Sequence, residues 1–253
     1  MIRWKLFAAS VATLWLFAGN AAQAVTIDFE AFGHGDVVSA TTISGVTILA
    51  HNPHQDHDIG ALFDTRVSGS RDRDLEAHSS LGGGSAWSGG NLSEAFLGFD
   101  PDLGNILIVQ ENKRDCGTGT CSRPDDQAGG GATLDFLFDV AVSSFGFDAV
   151  DIESGESGGT IVLHDGAGSV SFAFDELLPS ALFGDNTANR FDPLVASQIG
   201  LEAIDRVTIV FGGSGGIDNL TFEQNEPVPE PSTFALLGLG LAGIASQGRQ
   251  RRP

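Results

Sequence analysis

An all-β fold, an antiparallel β-sandwich of jelly-roll type, is predicted by three features of this 253-residue sequence. Glycine is abundant, at 34 residues, while charged side chains make up only 18%, a balance that suits short strands and tight turns better than helices. Runs of β-type residues with period-2 or continuous apolar character recur along the chain, and clusters of Gly, Asn and Asp separate them. With 42% apolar residues the chain can bury the core of one domain of about 200 residues.

Taken in order, strands are predicted over 25–30, 45–50, 105–110 and 133–138. Others follow over 142–147, 159–164, 169–174, 206–211 and 217–222. A helical turn is expected only around Leu194 to Ile199. No interior Pro/Ser linker and no repeat divides residues 25–226, which are read as one exported domain.

The flanking residues are of another kind. Met1 to Lys5 is basic, Leu6 to Ala18 is apolar, and Ala22-Gln23-Ala24 is a small-residue cleavage site. In that order they form a secretory signal peptide over 1–24, removed by signal peptidase; the apolar run is shorter than the roughly 20 residues that cross a bilayer. At the other end Val228-Pro229-Glu230-Pro231 precedes an apolar run from Phe234 to Ala245, predicted as a short helix, and then Arg249, Arg251 and Arg252. Prolines keep their segment extended, an apolar helix enters the membrane, and arginines hold its end on the cytoplasmic side. Residues 227–253 resemble the PEP-CTERM sorting signal. That resemblance implies an envelope protein exported across the inner membrane, processed by an exosortase-type protease, transiently membrane-anchored, and displayed at the cell surface or outside, with exopolysaccharide or biofilm matrix as surroundings.

Without its two ends the domain carries 8 Lys+Arg against 32 Asp+Glu, a net charge of −24. Nucleic acid is excluded as a partner because phosphate binding needs a basic face. Contact with membrane is expected only through the C-terminal segment before processing. A field of this size opposes compaction unless cations or local pairing offset it.

Cations are therefore the first functional question. Asp72, Asp74 and Glu76 alternate along Ser70 to Glu76, with Arg71 and Arg73 between them, and Asp64 lies just upstream. Asp125 and Asp126 precede the Gly129 to Gly131 turn. Asp218, beside the Gly212 to Gly216 turn, and Glu30 or Asp28 on the first strand form a second oxygen-rich group where the first and last strands meet. Carboxylates converging from several loops suit Ca²⁺, which takes six to eight oxygens in flexible geometry. The expected calcium ligands are thus Glu30, Asp64, Asp72, Asp74, Asp125, Asp126 and Asp218. The order of Phe63 to Thr65, Asp72 to Leu75, Ile106 to Asn112, Pro124 to Gly131, Phe136 to Phe138, Gly184 to Asn186 and Ser214 to Asp218 resembles an uncharacterised exported β-sandwich family that carries this C-terminal signal. It implies a fold and no activity.

Other motifs open rival readings. His51, His54 and His57, with Asp56 and Asp58, are competent ligands for Zn²⁺, Cu²⁺ or Ni²⁺, and a metal there would support a hydrolase with an acidic base. Gly212-Gly-Ser-Gly-Gly216 matches the nucleophile-elbow pattern, but the motif needs a following helix and a strand is predicted, so a hairpin turn is expected. Cys116 and Cys121 are spaced for a local disulfide, favoured by export to an oxidising compartment. There is no tyrosine, and Trp87 is the one tryptophan beyond the signal peptide, so a carbohydrate-binding module would stack its sugar on Trp87. The leading reading is a non-enzymatic, calcium-stabilised structural or binding module of the extracellular matrix.

Overall fold

The computed structural model describes residues 23–77, 87–99, 101–152 and 159–224. The signal peptide up to Ala22 lies outside the described residues. So does the C-terminal signal, with Pro229, Glu230, Pro231, the apolar helix, Arg249, Arg251 and Arg252. The described chain from Gln23 forms one compact unit. Its strands are β1 Gln23–Ile27, β2 Thr41–Ile43, β3 Val46–His51, β4 Gly60–Asp64, β5 Asn105–Val109, β6 Thr133–Val150, β7 Thr160–His164, β8 Ser169–Ala173, β9 Ala188–Val195, β10 Ile204–Val210 and β11 Gly216–Gln224. Two single-turn helices, α1 Glu94–Leu97 and α2 Phe174–Leu177, interrupt them. The fold is all-β and every strand pair is antiparallel.

The 18-residue β6 organises both layers. Its first part, Thr133–Phe138, pairs with β3 on one side and β10 on the other. Its second part, Ser144–Val150, runs between β11 and β9. Register shifts in the pairings with β9, β10 and β11 let the strand bend from one layer into the other. Ile48, Phe136 and Val207 from the first layer meet Phe145, Ile217 and Phe222 from the second in a single core. Phe147 and Phe191 stack there with ring centroids 4.7 Å apart.

β4 and β5 are buried on both faces. Leu62, Leu107 and Val109 point into the main core, whereas Ala61, Phe63, Ile106 and Ile108 alternate with them and face a second cluster with Leu75, Trp87 and Leu103. A layer of loops therefore covers the outer face of this edge of the sheet, which explains the near-continuous apolar sequences of both strands.

Several predicted elements change. The strands expected at 133–138 and 142–147 are one, because Asp139 N–H donates to Gly45 O at 2.8 Å and Val142 pairs with Ile204, keeping the polar middle extended. β2, β4 and β9 were absent from the sequence reading: β2 is three residues long, β4 is five, and β9 contains Arg190, Asp192 and Pro193. The expected helical turn is a 3₁₀ turn at Ala196–Gln198. The Gly212 to Gly216 turn is not a hairpin. β10 and β11 pair with different parts of β6, so the turn carries the chain from one layer to the other; a strand does follow Ser214, as expected, and not the helix of a nucleophile elbow.

Candidate functional site

The acidic residues singled out above fall into two neighbourhoods. The first is built by loops outside β5. Residues 125–127 lie along the end of that strand, with Glu111 N–H donating to Asp125 O at 2.8 Å and Gln127 N–H to Val109 O at 2.9 Å. The Asp126 carboxylate accepts the Gly215 N–H from the glycine-rich turn. Asp126 N–H in turn donates to Asp72 Oδ2 at 3.3 Å. Asp72 belongs to a loop shaped by its own side chains: Ser70 N–H donates to Glu76 Oε1, and Ser70 Oγ to Asp72 O. Asn186 Nδ2 clamps the loop by donating to Asp74 O and Glu76 O at 3.2 and 3.0 Å.

Burial pushes the Asp126 carboxyl well above the ordinary carboxylate range, and the charges of Asp72 and then Asp151 add to it. Asp125 is pushed up to about 6 by burial and by Glu111 and Asp72, against the opposing pull of Arg71. Asp74 is raised by burial, then by Asp72, Asp185 and Glu76. Glu76 is fully buried and its Oε2 has no hydrogen-bond partner among the described residues.

The second neighbourhood is centred on Asp218, which sits directly opposite Asp148 across β11 and β6. Asn219 Nδ2 donates to both carboxylates, at 2.9 Å each. Its left-handed backbone, φ 48°, falls within the register shift of β11. Asp218 is 1% exposed and its Oδ1 has no hydrogen-bond partner among the described residues. Burial lifts its carboxyl to about 9, outweighing the Asn219 N–H, with Asp148, Glu30 and Asp28 contributing. Glu30 Oε1 accepts Asn105 N–H at 2.6 Å, and Asn105 is itself buried, its Oδ1 without a hydrogen-bond partner among the described residues. Glu30 Oε2 pairs with Arg66 at 3.1 Å, and Arg66 Nε pairs with Asp64 at 2.6 Å. Burial pushes Asp64 upward, but the hydrogen bonds and charge of Arg66 outweigh it and hold the carboxyl below its usual range.

The expected ligand set is thereby divided. Asp72, Asp74, Asp125 and Asp126 share one neighbourhood; Asp218 and Glu30 share the other, and Asp64 is neutralised by Arg66 at its rim. Among the described residues no group of three or more His, Cys, Asp or Glu is disposed to hold a metal ion. The histidines are not brought together: His51 pairs with Asp58 at 2.9 Å, His54 Nε2 contacts Gly130 O at 2.8 Å and His57 Nε2 contacts Glu111 O at 3.1 Å. Trp87 is 2% exposed within the second core cluster, so its ring offers no face to a sugar. Cys116 and Cys121 form a disulfide.

Asp148, Arg190, Asn105 and Asn219 are not singled out by the sequence as site residues; Glu76, which alternates with Asp72 and Asp74, is. Asp148 left one signal, an acid within the otherwise apolar run Phe147 to Val150. Arg190 left none, since its strand was not predicted.

Residues 227–252 match the PEP-CTERM protein-sorting motif. No curated protein matches the chain. The motif makes this an exported protein sorted by exosortase to the cell surface or beyond. Among the described residues no helix is long and apolar enough to cross a membrane.

Proposed function

We propose that the exported domain is a non-enzymatic structural or binding module of the extracellular, exopolysaccharide-containing matrix, stabilised by calcium. Signal peptidase would release its N-terminus, and exosortase processes its C-terminal signal. The observation that carries the calcium reading is the Asp218 carboxyl, buried with Oδ1 unpartnered among the described residues. Burying a carboxyl without a full set of partners is costly, and a divalent cation removes that cost while displacing the proton.

The donor chemistry fits calcium better than magnesium. Asp218 and Glu30 supply carboxylate oxygens and Asn105 supplies an unpartnered amide oxygen. Glu30 links the two, accepting from Asn105 N–H and adding to the charge around Asp218. Calcium accepts such a mixed set and completes its shell with main-chain carbonyls or water, whereas magnesium demands near-ideal octahedral geometry. The Asp72, Asp74, Asp125 and Asp126 neighbourhood, with the unpartnered Glu76 Oε2, is the second position.

Calorimetric titration of calcium into chelator-stripped full-length protein tests the reading. Heat of binding that Asp218→Asn removes is expected. No binding at millimolar calcium would end it.

A further inference from the structure

On a domain of charge −24, one cleft is lined by basic side chains. It measures about 370 Å³ and lies between the Gly69–Arg71 loop and the Ser122–Pro124 segment, with His34 beside them. Arg71 and Arg123 line it, and neither guanidinium donates a hydrogen bond to a described carboxylate. Arg71 forms long ion pairs with Asp115 at 3.6 Å and Asp125 at 3.8 Å, beyond hydrogen-bond distance, so its N–H donors stay open to a ligand. Arg123 is exposed and forms no ion pair with a described carboxylate.

The remaining polar groups have assigned roles. His34 Nδ1 accepts Asp64 N–H at 3.0 Å, which leaves Nε2 as the ring atom that carries a proton. Ser70 Oγ donates to Asp72 O, and Ser122 Oγ donates to Asp115 O at 3.2 Å. Each hydroxyl proton is thus committed to the main chain, and each oxygen keeps lone pairs for a ligand hydroxyl. The cleft offers cationic N–H donors and neutral hydroxyl acceptors side by side.

Its walls are held from behind. The Cys116–Cys121 disulfide closes the hairpin that leads into Ser122. Cys121 N–H donates to Gly35 O at 2.7 Å, and Gly35 N–H to Leu62 O on β4 at 2.7 Å. Gly35 has φ 85°, and a Cβ there would meet Cys121 O at 2.0 Å, so glycine is required for this close approach. Gln110 Nε2 donates to Arg123 O at 3.2 Å. The loops carrying His34 and Arg123 are therefore tied to the same edge of the sheet, and such preorganisation favours binding.

We propose that this cleft binds the carboxylate of a hydroxylated sugar acid, a uronate, through Arg71 and Arg123, with Ser70 and Ser122 accepting from its hydroxyls. Guanidinium pairs with planar carboxylate, and the hydroxyl acceptors select a ligand that carries O–H groups beside its acid. The proposal shares the extracellular setting of the proposed function; Arg71 touches the second calcium position through Asp125 and Arg123 does not, so the Arg123 arm in chelator reads the cleft apart from calcium.

The test is calorimetry on the full chain in detergent, with a galacturonate oligosaccharide, its neutral galactose counterpart and a glutamate-rich peptide, each in chelator and in calcium. Binding of the galacturonate oligosaccharide in chelator is expected, at least tenfold tighter than either comparison ligand. Arg123→Gln and Arg71→Gln should each weaken it at least tenfold with an unchanged thermal melt; should Arg71→Gln melt lower, the exposed Arg123 carries the test. Absence of galacturonate binding, equal affinity for the neutral oligosaccharide, tighter binding of the peptide, or indifference to Arg123→Gln would each overturn the proposal. A failed calcium titration leaves these arms unaffected.

Discussion

Arg190 grips Asp148 with two parallel hydrogen bonds, Nε to Oδ1 and Nη2 to Oδ2, each 2.8 Å long. Asp148 is 1% exposed while the Arg190 side chain is about half exposed. The pair joins β6 to β9 one position away from the stacked Phe147 and Phe191 rings. Removing the arginine leaves a buried carboxylate facing Asp218 with, among the described residues, the Asn219 amide as its remaining side-chain donor. Arg190→Ala is therefore expected to lower unfolding free energy by about 3 kcal/mol, the lower end for breaking a buried pair, as read by urea denaturation. Pairing it with Asp148→Asn should recover part of that loss; a single-variant loss under about 0.5 kcal/mol, the range of ordinary surface changes, would show that the pair contributes nothing to stability.

Calcium should raise the thermal midpoint of the chelator-stripped chain by several degrees. A ligand that binds only the native state adds about 2.7 kcal/mol at a hundredfold excess over Kd. Asp218→Asn should remove most of the rise if the first- and last-strand position dominates. Melts in chelator and in millimolar calcium decide it, and superimposable curves would remove calcium from the account of stability.

Without calcium, acidification should stabilise the fold. Asp218 titrates at about 9 in the folded state and at about 3.9 in an unfolded chain, so between those values the native state holds a proton that the unfolded state has lost. Its contribution is fully present below the unfolded value and is lost as pH rises through the folded one, at up to about 1.4 kcal/mol per pH unit. Asp126 and Asp125 act in the same sense. Asp64, held low by Arg66, acts oppositely and only in acid, as pH falls through its own depressed value. Urea midpoints in chelator should be higher at pH 6 than at pH 8, with Asp218→Asn flattening the trend. A flat profile for the unaltered protein contradicts this reading.

The disulfide between Cys116 and Cys121 closes a very short loop. Chain entropy then limits its contribution to about 2 kcal/mol. A Cys116→Ser/Cys121→Ser variant should remain folded, with a loss of that size or less by urea denaturation, and should weaken galacturonate binding through looser placement of Ser122 and Arg123. Failure to fold would mean that the bridge supports the β4 edge globally.

Exosortase processing predicts that Glu230→Gln, within Pro229-Glu230-Pro231, accumulates as an unprocessed precursor in the producing cell. Mass spectrometry of the surface fraction reads this directly. An unchanged mature mass would place the cut under the control of other residues.

Most strands legible in the sequence were those whose side chains alternate against one core. β3, β7, β10 and β11 have the pattern in which Ile, Leu, Val and Phe at every second position are buried. β9 was hidden because half of its residues are polar or proline, and its place depends on β6 pairing from the other side. β4 and β5 are both short and buried on both faces, which erases the period-2 signal; β5 was legible as the continuous β-type run Ile106 to Val109, whereas β4 offers only Ala61, Leu62 and Phe63 between Gly60 and Asp64. Among the site residues, the acidic ones were visible as local clusters. Their grouping was not, since Asp126 reaches Gly215 across 89 positions and Asp218 faces Asp148 across 70.

By itself the sequence determined the β class and the sorting signal, because both rest on patterns read within short windows: side-chain alternation, turn residues, and Pro-Glu-Pro followed by an apolar run and arginines. Tertiary structure alone decided that Trp87 is core and not a sugar platform, that three histidines go to three partners, and that Arg71 and Arg123 share a cleft. Burial and charge proximity depend on which distant strands pair: β6 against β11 and β9 sets Asp148, Asp218 and Arg190 together, and β5 against β4 and β11 places the loops of the other neighbourhood.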